Sequence, residues 1–110
     1  MQVVLIEQLR ECYPEVYGEL HEVDCGDGWF AILDALGEAL TYCADVDNRR
    51  PPPVLSCKQK FGRLVFGKLH LERQDRRTFE IATAMSLRFC EHCGGPKGLF
   101  QSAAHCVCSA

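Results

Sequence analysis

The sequence predicts an α+β fold in which helices pack on a small antiparallel β-sheet and a cysteine-rich segment ends the chain. An apolar pattern of helical period runs through the first half, and two short β-type segments follow a run of three prolines. Four of the eight cysteines lie at or after residue 90. We expect one domain, with an α+β core over residues 1–89 and residues 90–110 as its carboxy-terminal segment.

Three amphipathic helices are expected over residues 2–12, 28–45 and 75–89. Apolar residues recur three or four positions apart in each, most clearly in the second. Its expected buried face is formed by Trp29, Ile32, Leu33, Leu36, Leu40 and Cys43. The third is expected to bury Phe79, Ala82, Met85 and Phe89. Pro14 should end or bend the first helix, because proline lacks an amide proton.

Two strands are expected over residues 54–60 and 63–71. Pro51–Pro53 cannot continue a helix and favours an extended conformation, so it reads as a linker before the strands. Phe61, Gly62 and Arg63 are expected to provide a turn, and an antiparallel pair is the simplest arrangement. The segment from Val23 to Gly28 is expected to be a turn before the second helix.

Overall composition favours a soluble, folded protein, with 47% hydrophobic and 25% charged residues. The first residues lack a basic start and a long apolar run, so they do not resemble a secretion signal, and no segment approaches membrane-spanning length. A cytoplasmic location is therefore expected. Thiols stay reduced there, and metal binding or burial becomes the expected use of cysteine.

Charge is distributed unevenly along the chain. Residues 1–48 carry eleven Asp and Glu against one Arg, whereas residues 49–110 carry eleven Lys and Arg against four Asp and Glu. The two halves can attract each other within the fold, or they can present acidic and basic faces to different partners.

The last 21 residues contain a pattern typical of a structural zinc site. Cys90 and Cys93 form a C-x-x-C pair followed by two glycines, which let the following amides turn toward the sulfurs. A second ligand group begins at His105, twelve residues after Cys93. We predict one zinc ion held by Cys90, Cys93, Cys106 and Cys108, with His105 as an alternative to Cys106. Four protein ligands leave no open position, which predicts a structural rather than a catalytic metal. Buried reduced cysteines and a redox pair are the alternatives.

The other residues give weaker functional signals. The isolated cysteines Cys12, Cys25, Cys43 and Cys57 are expected to fill the core. A basic surface with Phe61 and Phe66 between its charges would suit nucleic acid or another partner, although lysines on an edge strand also guard against aggregation. Its members are Arg49, Arg50, Lys58, Lys60, Arg63 and Lys68. No catalytic motif is present, so we expect no enzyme.

The order of motifs resembles small bacteriophage and prophage accessory proteins. A Gly-Trp helix start at Gly28, the segment Lys58–Phe66 and the Cys90–Pro96 motif follow one another as in those proteins, over most of the chain. They are mostly uncharacterised. Their final ligand pair has two residues between the ligands, whereas Cys106 and Cys108 are separated by one. The present chain matches that spacing if His105 is a ligand together with Cys108. The resemblance implies phage origin and a bacterial host.

Together these patterns predict a non-enzymatic, zinc-stabilised accessory protein that binds a host macromolecule. By analogy with other small phage proteins, the partner is expected to be a host protein, and inhibition of a defence system, as by an anti-CRISPR protein, is one such role. A small zinc-containing nucleic-acid-binding regulator is the alternative, and a metal-dependent or thiol enzyme is a third reading.

Overall fold

The structure, a computed structural model, describes residues 1–67 and 71–96. Four helices, one 3₁₀ turn and three strands follow one another in these residues, which confirms the predicted α+β class. In chain order they are α1 (Val3–Cys12), α2 (Pro14–Tyr17), β1 (Glu22–Asp24), the 3₁₀ turn (Asp27–Trp29), α3 (Phe30–Val46), β2 (Ser56–Lys60), β3 (Arg63–Phe66) and α4 (Arg73–Ser86).

The sheet has three strands in the order β1-β2-β3 and is mixed. The predicted antiparallel pairing holds for β2 and β3, where Lys60 lies opposite Arg63 across the turn. The prediction of an all-antiparallel sheet was wrong, because β1 pairs with β2 in parallel, with Val23 beside Cys57. Val23 and Asp24 of this strand were predicted to belong to a turn. A three-residue strand with a single apolar residue has no alternating pattern, and only its partner stabilises it.

Several element boundaries differ from the predicted ones for identifiable reasons. The second helix is preceded by the 3₁₀ turn and begins at Phe30. The last helix begins earlier, at Arg73, and ends at Ser86 rather than at residue 89, because Phe89 pairs with Pro96 in a bridge. Strand β2 begins at residue 56 rather than 54. Before it, the amide of Val54 donates to the carbonyl of Val16 instead of to a strand.

Other predicted boundaries agree closely. The first helix spans residues 3–12 instead of 2–12 and ends before Pro14, as predicted, and Pro14 begins the short helix α2, which was not predicted. Strand β3 ends at Phe66, and residues 68–70 of the predicted strand lie outside the described residues. Proline at the first position of α2 is favourable, since that amide would have no partner within the helix.

Helix α3 lies at the centre of the core. Its buried face includes Ile32, Leu33, Leu36 and Leu40, as the helical period predicts, and Trp29 is buried just before it. At the end of the helix the prediction was wrong, because Cys43 is only half-buried and Ala44 is the buried residue. Each fully buried leucine of this kind contributes about 1.5–3 kcal/mol to stability. Prediction failed at Cys12, which is exposed, and at Met85, whose side chain is 39% exposed.

Polar contacts fix α4 against the rest of the fold. The buried Ser86 hydroxyl accepts a hydrogen bond from the Leu64 amide (2.9 Å), and the Thr83 hydroxyl donates to the Leu64 carbonyl (3.0 Å). At the other end of α4, the Arg49 guanidinium contacts both oxygens of Asp75, at 2.8 and 3.2 Å. Asp75 is 1% exposed, so this ion pair compensates a buried charge.

We expect Arg49→Met to lower the free energy of unfolding and Arg50→Met to leave it unchanged. The first substitution leaves the Asp75 carboxylate buried without its cation, whereas Arg50 is exposed and its loss changes only the surface. Urea denaturation followed by circular dichroism measures both effects. Equal midpoints for the two variants would show that the Arg49 ion pair does not stabilise the fold.

Candidate metal centre and partner-binding surfaces

Residues Cys90–Pro96, called the knuckle below, form a tight reversed turn directly after α4. The Gly94 amide donates to the Cys90 carbonyl, and the Cys90 amide donates to the Gly95 carbonyl, both at 2.9 Å. Gly94 has a φ of +76°, in the left-handed region that glycine adopts without strain. This is the role the sequence predicts for a glycine after the C-x-x-C pair.

Backbone amides in the knuckle point at the two cysteine sulfurs. The His92 amide lies 3.3 Å from Cys90 Sγ, and the Gly95 amide lies 3.3 Å from Cys93 Sγ. Amide donors stabilise negative charge on sulfur, and the thiolate is the form of cysteine that binds metal. The knuckle therefore fits two zinc ligands. The exposed His92 lies between them, and its amide is already used.

The knuckle is anchored on the turn that precedes α3. The Gly28 amide donates to the Glu91 carbonyl (2.6 Å), and the Gly26 amide donates to a Glu91 carboxylate oxygen (3.1 Å). Trp29 Nε1 donates to the Phe89 carbonyl at 2.9 Å. A Cβ at Gly28 would lie 2.2 Å from the Cys90 carbonyl oxygen, so the close approach requires glycine.

Two of the predicted zinc ligands lie in the described residues. Cys90 is buried and Cys93 is exposed. His105, Cys106 and Cys108 lie outside the described residues, so the complete ligand set stays a prediction. Within residues 1–67 and 71–96, no group of three His, Cys, Asp or Glu side chains is placed to hold a metal.

The predicted basic surface is divided in the structure. Arg49 is paired with Asp75, and Lys58 Nζ lies 3.1 Å from a Glu22 carboxylate oxygen. Arg50 is exposed in the loop after α3, and Lys68 lies outside the described residues. Local sequence does not predict ion pairs between residues far apart in the chain. The run of basic residues therefore suggested more unpaired positive charge than the structure has.

The aromatic residues of that surface also have different roles. Phe66 packs edge-to-face against Phe79, with ring centroids 4.9 Å apart, and belongs to the core periphery. Phe61 lies at the tip of the β2–β3 hairpin and is 88% exposed. Among the described basic residues of that surface, Lys60 and Arg63 lie opposite each other beside the tip.

The backbone of Phe61 is strained. Its φ is +55°, followed by Gly62 at +79°, which places both residues of the two-residue turn in the left-handed region. Such turns favour Asn-Gly or Asp-Gly, because side chains other than Asn and Asp pay about 1–2 kcal/mol there. A bulky aromatic at this position costs stability and gains no burial in the described fold.

An apolar groove lies between α3 and α4 and encloses about 450 Å³. Small residues of α3 form one wall, namely Ala31, Ala35 and Ala39, and Ile81 and Met85 of α4 form the other. Gly28, Phe89 and Gly94 line one end, so the knuckle and its anchor close the groove there. Sequence periodicity assigned Met85 to the core and gave no sign of this groove.

Two cysteines predicted to be isolated lie together in the core. The thiols of Cys57 on β2 and of Cys25, which follows β1, interact through a side-chain hydrogen bond. This bond lowers the pKa of Cys25 and, with burial, raises the pKa of Cys57 far above its ordinary value. The pair depends on the parallel β1–β2 contact, which the sequence did not predict.

Within the described part of the chain, no helix is long and apolar enough to cross a membrane. Comparison of the chain with protein-family models, curated proteins and solved structures found no match.

Proposed function

We propose that this chain is a non-enzymatic, zinc-stabilised binding protein that engages a host protein through the tip of its β2–β3 hairpin. The observation that supports this function is Phe61, a large apolar side chain that is 88% exposed in a strained turn. Aromatic residues at such positions anchor protein interfaces when they enter a pocket, because they bury a large area with few rotatable bonds.

The surroundings of Phe61 define the chemistry of the partner. Lys60 and Arg63 are exposed on either side of the tip, and neither makes an ion pair within the described residues. An apolar pocket with carboxylates at its rim would receive the ring and pair with both cations. The partner is therefore a protein surface with an acidic-rimmed apolar pocket.

The alternative, a nucleic-acid-binding regulator, has less support. Specific nucleic-acid binders commonly neutralise several phosphates, and each contact adds to the salt dependence of binding. Two cations and one aromatic ring remain at the hairpin tip, since Arg49 and Lys58 are already paired. This arrangement would support a few weak phosphate contacts rather than a high-affinity nucleic-acid site.

In this proposal, zinc stabilises the fold and takes no part in chemistry. Cys90 and Cys93 would supply two ligands, and Cys106 and Cys108 the others, with His105 as an alternative to Cys106. Four protein ligands leave no position for a reactive water. The amides directed at the Cys90 and Cys93 sulfurs support this assignment.

The biological setting follows from the resemblance to phage accessory proteins. The partner would be a protein of the infected bacterium, and a component of a defence system is the first class to examine. Phage plating on a CRISPR-protected strain, with and without the expressed chain, tests that role. Full protection despite expression would remove the anti-CRISPR role without affecting the hairpin proposal.

We expect Phe61→Asn to stabilise the protein and to weaken partner binding. Asparagine suits the left-handed turn, so the free energy of unfolding should rise by about 1 kcal/mol. Removal of the ring should weaken binding by at least 2 kcal/mol, roughly 30-fold in Kd. A photo-crosslinking amino acid at position 61 identifies the partner in host lysate, and calorimetry with the purified partner measures the affinity.

Two controls distinguish specific binding from nonspecific binding. Phe61→Tyr keeps the ring and should keep binding, and a crosslinker at Tyr42, an exposed aromatic on α3, should not capture the same protein. Unchanged affinity of Phe61→Asn would refute the hairpin as the binding site. Capture that is destroyed by nuclease and falls steeply with salt would instead favour the nucleic-acid alternative.

We expect one zinc per chain, with three or four sulfur ligands by X-ray absorption spectroscopy. Cys93→Ser should lower both the zinc content and the thermal midpoint, because binding of a structural metal contributes directly to folding. Cys12→Ser is the matched control, since Cys12 is an exposed cysteine on α1. Metal-free protein that is as stable as the zinc-treated protein would contradict the structural role.

A further inference from the structure

We propose that the apolar groove between α3 and α4 is a self-association surface and that a second copy of this chain covers it. This inference is independent of the hairpin function. The groove is exposed on the described fold, and Ile81, on its α4 wall, is 63% exposed. A large exposed apolar face next to the central helix is unusual for a monomer and typical of an interface.

The shape of the face is self-complementary. The α4 wall is a ridge formed by Ile81 and Met85, and the α3 wall is a low strip of alanines, with Ala35 at its centre. A two-fold axis parallel to the helices places α4 of one copy over α3 of the other. The ridge of each copy then enters the low strip of its partner, as side-chain ridges pack into grooves between helices.

Helices α3 and α4 run antiparallel: Trp29, just before α3, donates to Phe89, just after α4, and Arg49, just after α3, pairs with Asp75 in the first turn of α4. Gly28 and Phe89 line one end of the groove, and Ala39 and Thr78 line it eleven residues further along each segment. With a rise of about 1.5 Å per residue, the neighbours Glu38 and Arg77 therefore lie at about the same height. A two-fold axis parallel to the helices preserves that height.

The charges at the two edges are of opposite sign. Glu38 is exposed three residues after Ala35, on the outer edge of α3, and Arg77 is exposed four residues before Ile81, on the outer edge of α4. Neither makes an ion pair within the described residues. The same two-fold axis sets Glu38 of each copy beside Arg77 of the other, so two ion pairs border the apolar contact.

An axis perpendicular to the helices gives a less favourable arrangement. It would place α3 over α3 and α4 over α4, so that edges of like charge meet and the two ridges collide. Charge and shape therefore select the same pairing, in which α3 of one copy packs on α4 of the other.

Sedimentation equilibrium of the full zinc-loaded chain over a dilution series tests this proposal. We expect a monomer–dimer equilibrium that Ile81→Glu abolishes. Arg77→Glu should weaken the dimer roughly tenfold, because each symmetric dimer contains two such contacts. The double variant Glu38→Arg with Arg77→Glu should restore most of the affinity. Circular dichroism confirms that every variant is folded.

The matched control is Arg76→Glu, because Arg76 is the adjacent exposed arginine and its side chain points away from the groove by one helical step of 100°. It should leave the dimer intact. A chain that stays monomeric at every concentration overturns the proposal. Another occupant of the groove, either residues 97–110 or a different protein, would then have to be sought. Equal weakening by Arg76→Glu and Arg77→Glu also overturns it, since a general charge effect would then explain both.

Discussion

The contact between the knuckle and the Gly26–Gly28 turn is the constraint on which the rest of the structure depends. The turn begins the central helix, and the knuckle is the point where the chain leaves α4. A hydrogen bond of 2.6 Å from Gly28 to Glu91 joins them. Both glycines lack a Cβ where one would collide with knuckle backbone. The start of α3 and the end of α4 are therefore held together by backbone, which leaves little tolerance for change.

This contact would link the proposed metal binding to the rest of the fold. Trp29 is buried in the core and also donates to the Phe89 carbonyl next to Cys90. A metal that fixes the two cysteines would also fix this carbonyl and the end of the α3/α4 groove. A chain of 110 residues has a modest core, so such a tie would contribute substantially to its stability. In a two-fold dimer, the contact between the knuckle and this turn would also support the interface. Such a dimer would present two hairpin tips to a partner.

Sequence reasoning succeeded where the determining interactions are local. The helical period of α3 and the turn at Phe61 and Gly62 could be identified from the sequence, as could the role of Gly94 after the C-x-x-C pair. It failed where contacts with residues distant in the sequence determine the secondary structure. Strand β1 exists because of β2, and α4 ends early because Phe89 pairs with Pro96. No local pattern encodes either contact.

The same distinction applies to the candidate surfaces. Six basic residues and two phenylalanines suggested one continuous surface, but tertiary ion pairs with Asp75 and Glu22 removed two of the charges. Arg50 stays exposed in the loop after α3 and Lys68 lies outside the described residues, so Lys60, Phe61 and Arg63 at the hairpin tip are the compact group that remains. Its strain is visible only in the backbone angle of Phe61, since Phe-Gly in a turn carries no warning in the sequence itself. The apolar groove could not be predicted for a related reason. An amphipathic pattern does not show which apolar residues remain exposed after the helices pack.

The most direct test of this account is amide hydrogen exchange at Gly28, followed by NMR before and after zinc is removed with a chelator. The account predicts strong protection of the Gly28 amide in the zinc-loaded protein. After chelation, Gly28 and Gly94 should exchange much faster while amides in the middle of α3, such as that of Leu40, remain protected. A Gly28 amide that exchanges at the same rate with and without zinc would contradict the link between the metal, the knuckle and the central helix.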